Sequence, residues 1–139
     1  MLELAVTLQT LKLYAHAAHH ICARVVFNQD HDTLSDIYSK ADSDYDDVIE
    51  RYIGIYGDES LDEAKIISSA AQKMANLPLK QAKENKELLK TCLDLHKDIC
   101  SKIEVLCKNG KTSQGTIQLL GDIANASEVT QYKLKQRLK

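Results

Sequence analysis

Apolar residues recur along this chain at alternating steps of three and four, the period of helices that bury one stripe. The clearest stretch runs from Asp30 to Tyr56, where Leu34, Tyr38, Ala41, Tyr45, Val48 and Tyr52 fall on one side. An earlier helix is predicted from Leu2 to about Arg24, with the stripe Leu4, Leu8, Leu11, Ala15, Ala18, Cys22 and Val25. The pattern breaks over Val25 to Asp30, and Asp30 is the type of residue that caps a helix start. Gly57 to Ser60 reads as a loop, and Ser60-Leu-Asp-Glu63 has the form of a capping box opening a short helix to about Ala75. Pro78 closes that stretch, and a third long helix is expected from near Leu79 to about Lys108. Asn109-Gly110-Lys111 is a stop and turn. Thr112 or Ser113 then caps a last helix with Ile117, Leu120, Ala124, Ser127, Leu134 and Leu138 on one face. The reading is an all-α, four-helix bundle whose second and third long helices are joined by a crossover carrying a short helix.

Composition supports few, long elements. One proline and five glycines among 139 residues leave few turn signals, and the length suits one domain spanning 1–139. No run approaches the roughly 18 apolar residues of a membrane span, and the N-terminus shows neither a basic leader nor a cleavage site. With four cysteines and no export signal, reduced thiols in the cytoplasm are expected. Charge divides unevenly: residues 1–63 sum to −9 and residues 64–139 to +7. Such halves attract across a core or between subunits, so the asymmetry alone does not imply nucleic acid.

Eight carboxylates crowd the 30–56 stretch: Asp30, Asp32, Asp36, Asp42, Asp44, Asp46, Asp47 and Glu50, with Lys40 the one lysine among them. A solvated helix face usually alternates sign, so this imbalance asks for a counter-charge, and a metal cation is one answer. Asp46 and Glu50 are one turn apart and project side by side beside the apolar stripe, whereas Asp36 and Asp47 turn away. Two carboxylates with imidazole form an O/N site for iron or manganese; the alternative is an acidic surface with no ligand role. On the first helix His19 lies at the edge of the stripe, while His16 and His20 read as solvated surface. His31 projects near the edge marked by Ile49. No histidine has a glutamate three residues before it, so a di-iron centre inside the bundle is not expected. Cys92, His96 and Cys100, with Cys107 on the same side, could offer soft ligands, but Leu89, Ile103 and Leu106 share their stripe and packed thiols are the preferred reading. Tyr38, Tyr45, Tyr52 and Tyr56 read as core or interface aromatics.

The spacing of His19, His31, Tyr38, Asp46 and Glu50-Arg51 resembles that of the Dps branch of ferritins. Phe27 and the run Val48-Ile-Glu-Arg-Tyr-Ile-Gly54 also fit, and Asp122 to Leu138 is similar to that family's last helix. The resemblance implies a ferritin-like four-helix subunit, assembled from two-fold dimers into a dodecameric cage. It implies an iron site between subunits, di-iron or mononuclear, with His19 and His31 from one subunit and Asp46 and Glu50 from its two-fold partner. Asp36 and Asp42 are offered as additional ligands. The family's usual acid four residues after the second histidine is Ser35 here, and the aromatic after the first is His20.

The expected function is therefore oxidation of Fe(II) by hydrogen peroxide or dioxygen and storage of the Fe(III) mineral. The competing class is a non-catalytic helical oligomer whose metal site is degenerate, kept open by Ser35 and His20. The basic end Lys133, Lys135, Arg137 and Lys139 suits a helix C-terminus without invoking a ligand, so DNA binding is not expected.

Overall fold

Helix α1 (Leu2–Ile21) is buried on more than the single stripe its sequence suggests. Leu4, Leu8, Leu11, Ala15 and Ala18 are sealed as expected, and Ala5, Thr7, Gln9, Thr10 and Tyr14 are buried with them. The cause is its position: α1 packs against three other helices at once. The computed structural model describes residues 1–23, 26–80, 82 and 84–139, and all regular structure among them is helical. After α1 come α2 (Phe27–Tyr56), a 3-10 turn (Asp58–Ser60), α3 (Glu63–Ala75), α4 (Asn85–Lys108) and α5 (Gln114–Leu138). The four long helices form a bundle in which α1 pairs with α2 and α4 with α5, while α1 also meets α4. The short α3 lies against α1. Among the described residues no helix is long and apolar enough to cross a membrane.

Several boundaries differ from the sequence reading, each for a local reason. Helix α1 stops at Ile21, where the Cys22 backbone N–H returns to the Ala18 carbonyl; Arg24 and Val25 lie outside the described residues. Helix α2 begins at Phe27, one turn before Asp30, because the Asp30 carboxylate is used in the core and caps nothing. Ser60 does not open α3. Its hydroxyl bonds back to the Gly57 carbonyl, and Asp62 caps instead, accepting from the Lys65 backbone N–H at 3.0 Å. Helix α4 starts at Asn85 rather than near Leu79. The apolar residues Leu77, Leu79 and Ala82 pack on the core from a connecting segment, and the Tyr14 hydroxyl donates to the Pro78 carbonyl at 2.7 Å. Of the two offered caps for α5, Ser113 is the one used.

The stripe of α2 is buried at Leu34, Ala41, Tyr45 and Val48, with Tyr38 and Tyr52 half-buried. Ile37, Ile49 and Asp44 extend it sideways, as befits a helix with neighbours on two sides. Tyr45 is a core aromatic whose hydroxyl donates to Glu63 at 2.9 Å, whereas Tyr56 is 59% exposed.

Candidate metal centre

The connection from α1 to α2 is held at one end of the bundle by a polar cluster that brings four segments together. Asp30, fully buried, accepts two hydrogen bonds from the Arg137 guanidinium of α5, at 2.9 and 3.1 Å. Its Oδ2 also accepts from the Asn85 side chain at 2.9 Å, on the first residue of α4. Asn85 in turn bonds both the N–H and the carbonyl of Ala23, just past the end of α1. A buried carboxylate is costly unless paired and hydrogen-bonded, and this one is both. The cluster fixes where α2 leaves the turn, and hence where its neighbour His31 projects.

His31 meets His19 there. The two imidazole centroids are 3.6 Å apart, and His19 Nδ1 lies 3.0 Å from the His31 carbonyl oxygen. A carbonyl can only accept, so Nδ1 of His19 is the donor, and in the neutral ring Nε2 is then the nitrogen that carries the lone pair. This is the arrangement that prepares an imidazole to bind a metal. The His19 carbonyl is also engaged, accepting from the Cys22 thiol at 3.3 Å. His31 Nδ1 lies 3.7 Å from the exposed Asp32 carboxylate. Phe27, 42% exposed, rests against the His31 ring.

His16 and His20 are exposed, as expected, but they are not isolated. Their rings stand 4.6 Å apart, and His16 is 4.5 Å from the Tyr38 ring, which also meets His19 edge-on. Four imidazoles and a phenol thus share one surface, a grouping the wheel of α1 alone does not show because Tyr38 and His31 come from α2.

Asp46 and Glu50 are both exposed on α2. Fifteen residues separate His31 from Asp46, about 22 Å along the helix at 1.5 Å per residue. The histidines and these carboxylates therefore do not converge within one chain, and among the described residues no three His, Cys, Asp or Glu side chains are placed to hold one metal ion. Comparison with protein-family models, with curated proteins and with solved structures finds no match to this chain.

The two additional carboxylates sit elsewhere. Asp42 forms an ion pair with Lys12 at 2.6 Å, and Asp36 lines a cavity in the bundle with Lys40 and Asp44. Ser35, at the position where an acid is usual in the resembling family, lies 3.4 Å from the Tyr38 hydroxyl. On α4, Cys92 is fully buried and burial pushes its thiol up to about 12, so it is held as a neutral packing group. His96 is a core histidine whose Nδ1 is 2.6 Å from Ser127 Oγ, and Cys100 accepts from Gln131 at 3.3 Å. These contacts place the α4 stripe in the packing of α4 on α5. Arg137, read with the basic end of α5, is turned inward onto Asp30.

Asp30, Asn85 and Arg137 are the positioning residues that the sequence reading missed. They lie 55 and 107 positions apart, and the faint signal was an aspartate recurring on the apolar side of its own helix, four residues before Leu34.

Proposed function

We propose that this chain is a ferritin-like subunit, similar to the Dps mini-ferritins, that takes Fe(II) as substrate at a two-fold interface, oxidises it and stores the Fe(III). The observation that carries the reading is the His19 to His31 hydrogen bond, which leaves the His19 Nε2 lone pair for a metal. The donor chemistry fits: imidazole nitrogens and carboxylates suit iron, which needs few ligands and open positions to react. Asp46 and Glu50 are exposed and too distant to serve their own chain's histidines, so a second copy supplies them in this reading. Exposed Phe27 beside His31 is apolar surface that such a copy would cover. The acidic surface of α2 draws cations toward the site.

In the reaction, two Fe(II) ions each give up one electron. Hydrogen peroxide takes both electrons with two protons and becomes two waters; dioxygen is the other acceptor. The protein's part is to hold the ions by His19, His31 and the partner copy's carboxylates, and to keep the imidazoles in the metal-binding tautomer.

The test is anaerobic Fe(II) loading followed by metal analysis and a kinetic measurement of Fe(III) formation, alongside the mass in solution. Parent protein is expected to run as a large assembly, retain iron, and oxidise it with either acceptor. His19→Ala and Glu50→Ala are each expected to cut the rate at least about tenfold. Parental rates in both variants, or no iron retained by the parent, would replace this reading with that of a non-catalytic helical oligomer carrying a degenerate site.

A further inference from the structure

The end of α1 carries a second pair of imidazoles that iron binding at His19 and His31 does not use. His16 and His20 are one helical turn apart, the spacing that sets side chains beside each other on a helix surface. Both are exposed, and their ring centroids stand 4.6 Å apart. Neither ring makes a hydrogen bond or an ion pair among the described residues, so each neutral imidazole keeps a lone pair for a ligand.

The surroundings suit a cation. His20 lies in the last turn of α1, where the helix dipole is negative. Lys12, one turn before His16, carries a charge that would repel a metal ion, but it is paired with Asp42 at 2.6 Å. The Tyr38 ring of α2 rests 4.5 Å from the His16 ring and limits the directions in which that exposed side chain can turn.

The separation of the rings matches one ion shared between them. An ion about 2.0 Å from one nitrogen of each imidazole holds the two centroids roughly 4.5–5 Å apart. His16 and His20 already stand at that distance, and rotation about their side-chain bonds aims the nitrogens without moving the helix. His19 is farther off, 6.4 Å from His16 and 5.6 Å from His20, and its Nδ1 is committed to the His31 carbonyl. The chain thus supplies two ligands and water the rest, in keeping with the lack of any three-ligand group among the described residues.

The donors also select the metal. Two imidazole nitrogens without a carboxylate favour ions late in the first transition row, Cu(II) and Zn(II), over Fe(II) or Mn(II). They offer little to Mg(II), which takes oxygen ligands. We propose that His16 and His20 form a binding site for a late divalent transition metal, Zn(II) or Cu(II), distinct from the His19 and His31 position.

Zn(II) is the probe, with Mg(II) as the control. Full-length protein is dialysed to equilibrium against each at pH 7.5, and bound metal per chain is read by atomic emission. Zinc is expected to bind saturably, and Mg(II) is not. One zinc ion per chain should be weakened at least about tenfold in His16→Gln and in His20→Gln. The same ion should be held within about twofold of parental affinity in His19→Ala. His16 and His20 are exposed, so their replacement is expected to leave the fold intact. The proposal is overturned if the parent holds no saturable zinc, if His16→Gln and His20→Gln bind zinc as the parent does, or if His19→Ala loses the ion instead. Each outcome is read on zinc alone, so it stands whether or not the chain oxidises iron.

Discussion

Asp30 and Arg137, 107 positions apart, meet in a two-point ion pair that ties the start of α2 to the end of α5. The partners are not equally placed. The Asp30 side chain is 1% exposed, whereas that of Arg137 is 24% exposed. Taking two charges out of water is expensive, so such a pair contributes little net stability, yet removing one partner strands the other.

That asymmetry makes a prediction about order. Arg137→Met leaves a sealed carboxylate with only the Asn85 side chain, and is expected to cost about 3 kcal/mol. Asp30→Ala frees a guanidinium that can turn toward solvent, and is expected to cost less, about 2 kcal/mol. The double variant Asp30→Leu/Arg137→Met removes both charges and should be more stable than Arg137→Met alone. Urea unfolding at pH 7 followed by circular dichroism measures all three. Asp30→Ala proving the more damaging single change would reject this order and shift the weight to the Asn85 bond.

His96 gives the fold an acid-sensitive component. Its folded-state value, pushed down to about 4 by burial, lies below the ordinary 6.5. Between those values the unfolded chain binds a proton that the folded protein refuses, so stability falls as pH drops through about 6.5 and levels off near 4. The slope from this group approaches about 1.4 kcal/mol per pH unit, giving roughly 2 kcal/mol of loss at pH 5. His96→Phe lacks the titrating group, so the loss between pH 7 and pH 5 should be smaller in the variant by that amount. Equal losses in urea unfolding at the two pH values would place the destabilisation elsewhere.

The long helices were legible because each buries a stripe with the period that sequence encodes, as at Leu4, Leu8 and Leu11 or at Leu34, Ala41 and Val48. Their ends were not, because the ends are decided by tertiary partners. Asp30 reads as a cap until Arg137 is placed beside it. Leu79 reads as helical because it is apolar at the right step, although it packs on the core from the connection. The position of His19 at the margin of its stripe was legible, and so was the side-by-side projection of Asp46 and Glu50. The approach of His19 to His31 was not, since twelve residues across a helix break fix no distance. His16 and His20 are exposed as read, but their clustering with Tyr38 depends on how α1 and α2 are docked.

Tyr14 anchors the connection before α4. It is fully buried on α1, and its hydroxyl donates to the Pro78 carbonyl at 2.7 Å; burial, the largest influence, raises that hydroxyl to about 12. Tyr14→Phe keeps the ring and removes the donor, leaving the carbonyl short of one partner. The expected cost is about 1 kcal/mol. Faster cleavage between Leu77 and Glu84 in limited proteolysis should accompany it, because the tether to α1 is lost. Unchanged stability together with an unchanged cleavage pattern would mean that the connection is held by Leu77 and Leu79 alone.

The four cysteines should differ in reactivity in an order set by burial. Cys22 and Cys92 are buried, whereas Cys100 and Cys107 are half-buried. The reacting species is the thiolate, so a thiol both covered and raised in pKa is doubly protected. Cys92 has no exposed surface and is pushed up to about 12. Cys100 is raised chiefly by burial, and its sulfur accepts a hydrogen bond from Gln131. Cys107 should therefore label first with a small alkylating reagent at pH 8 and Cys100 more slowly. Cys92 should lag by at least about a hundredfold and react at a rate that tracks global unfolding. Peptide mapping by mass spectrometry over a time course, with and without urea, separates the sites. Early labelling of Cys92 in the native protein would show that α4 opens from the core locally, and that its thiol is available for chemistry that its burial otherwise forbids.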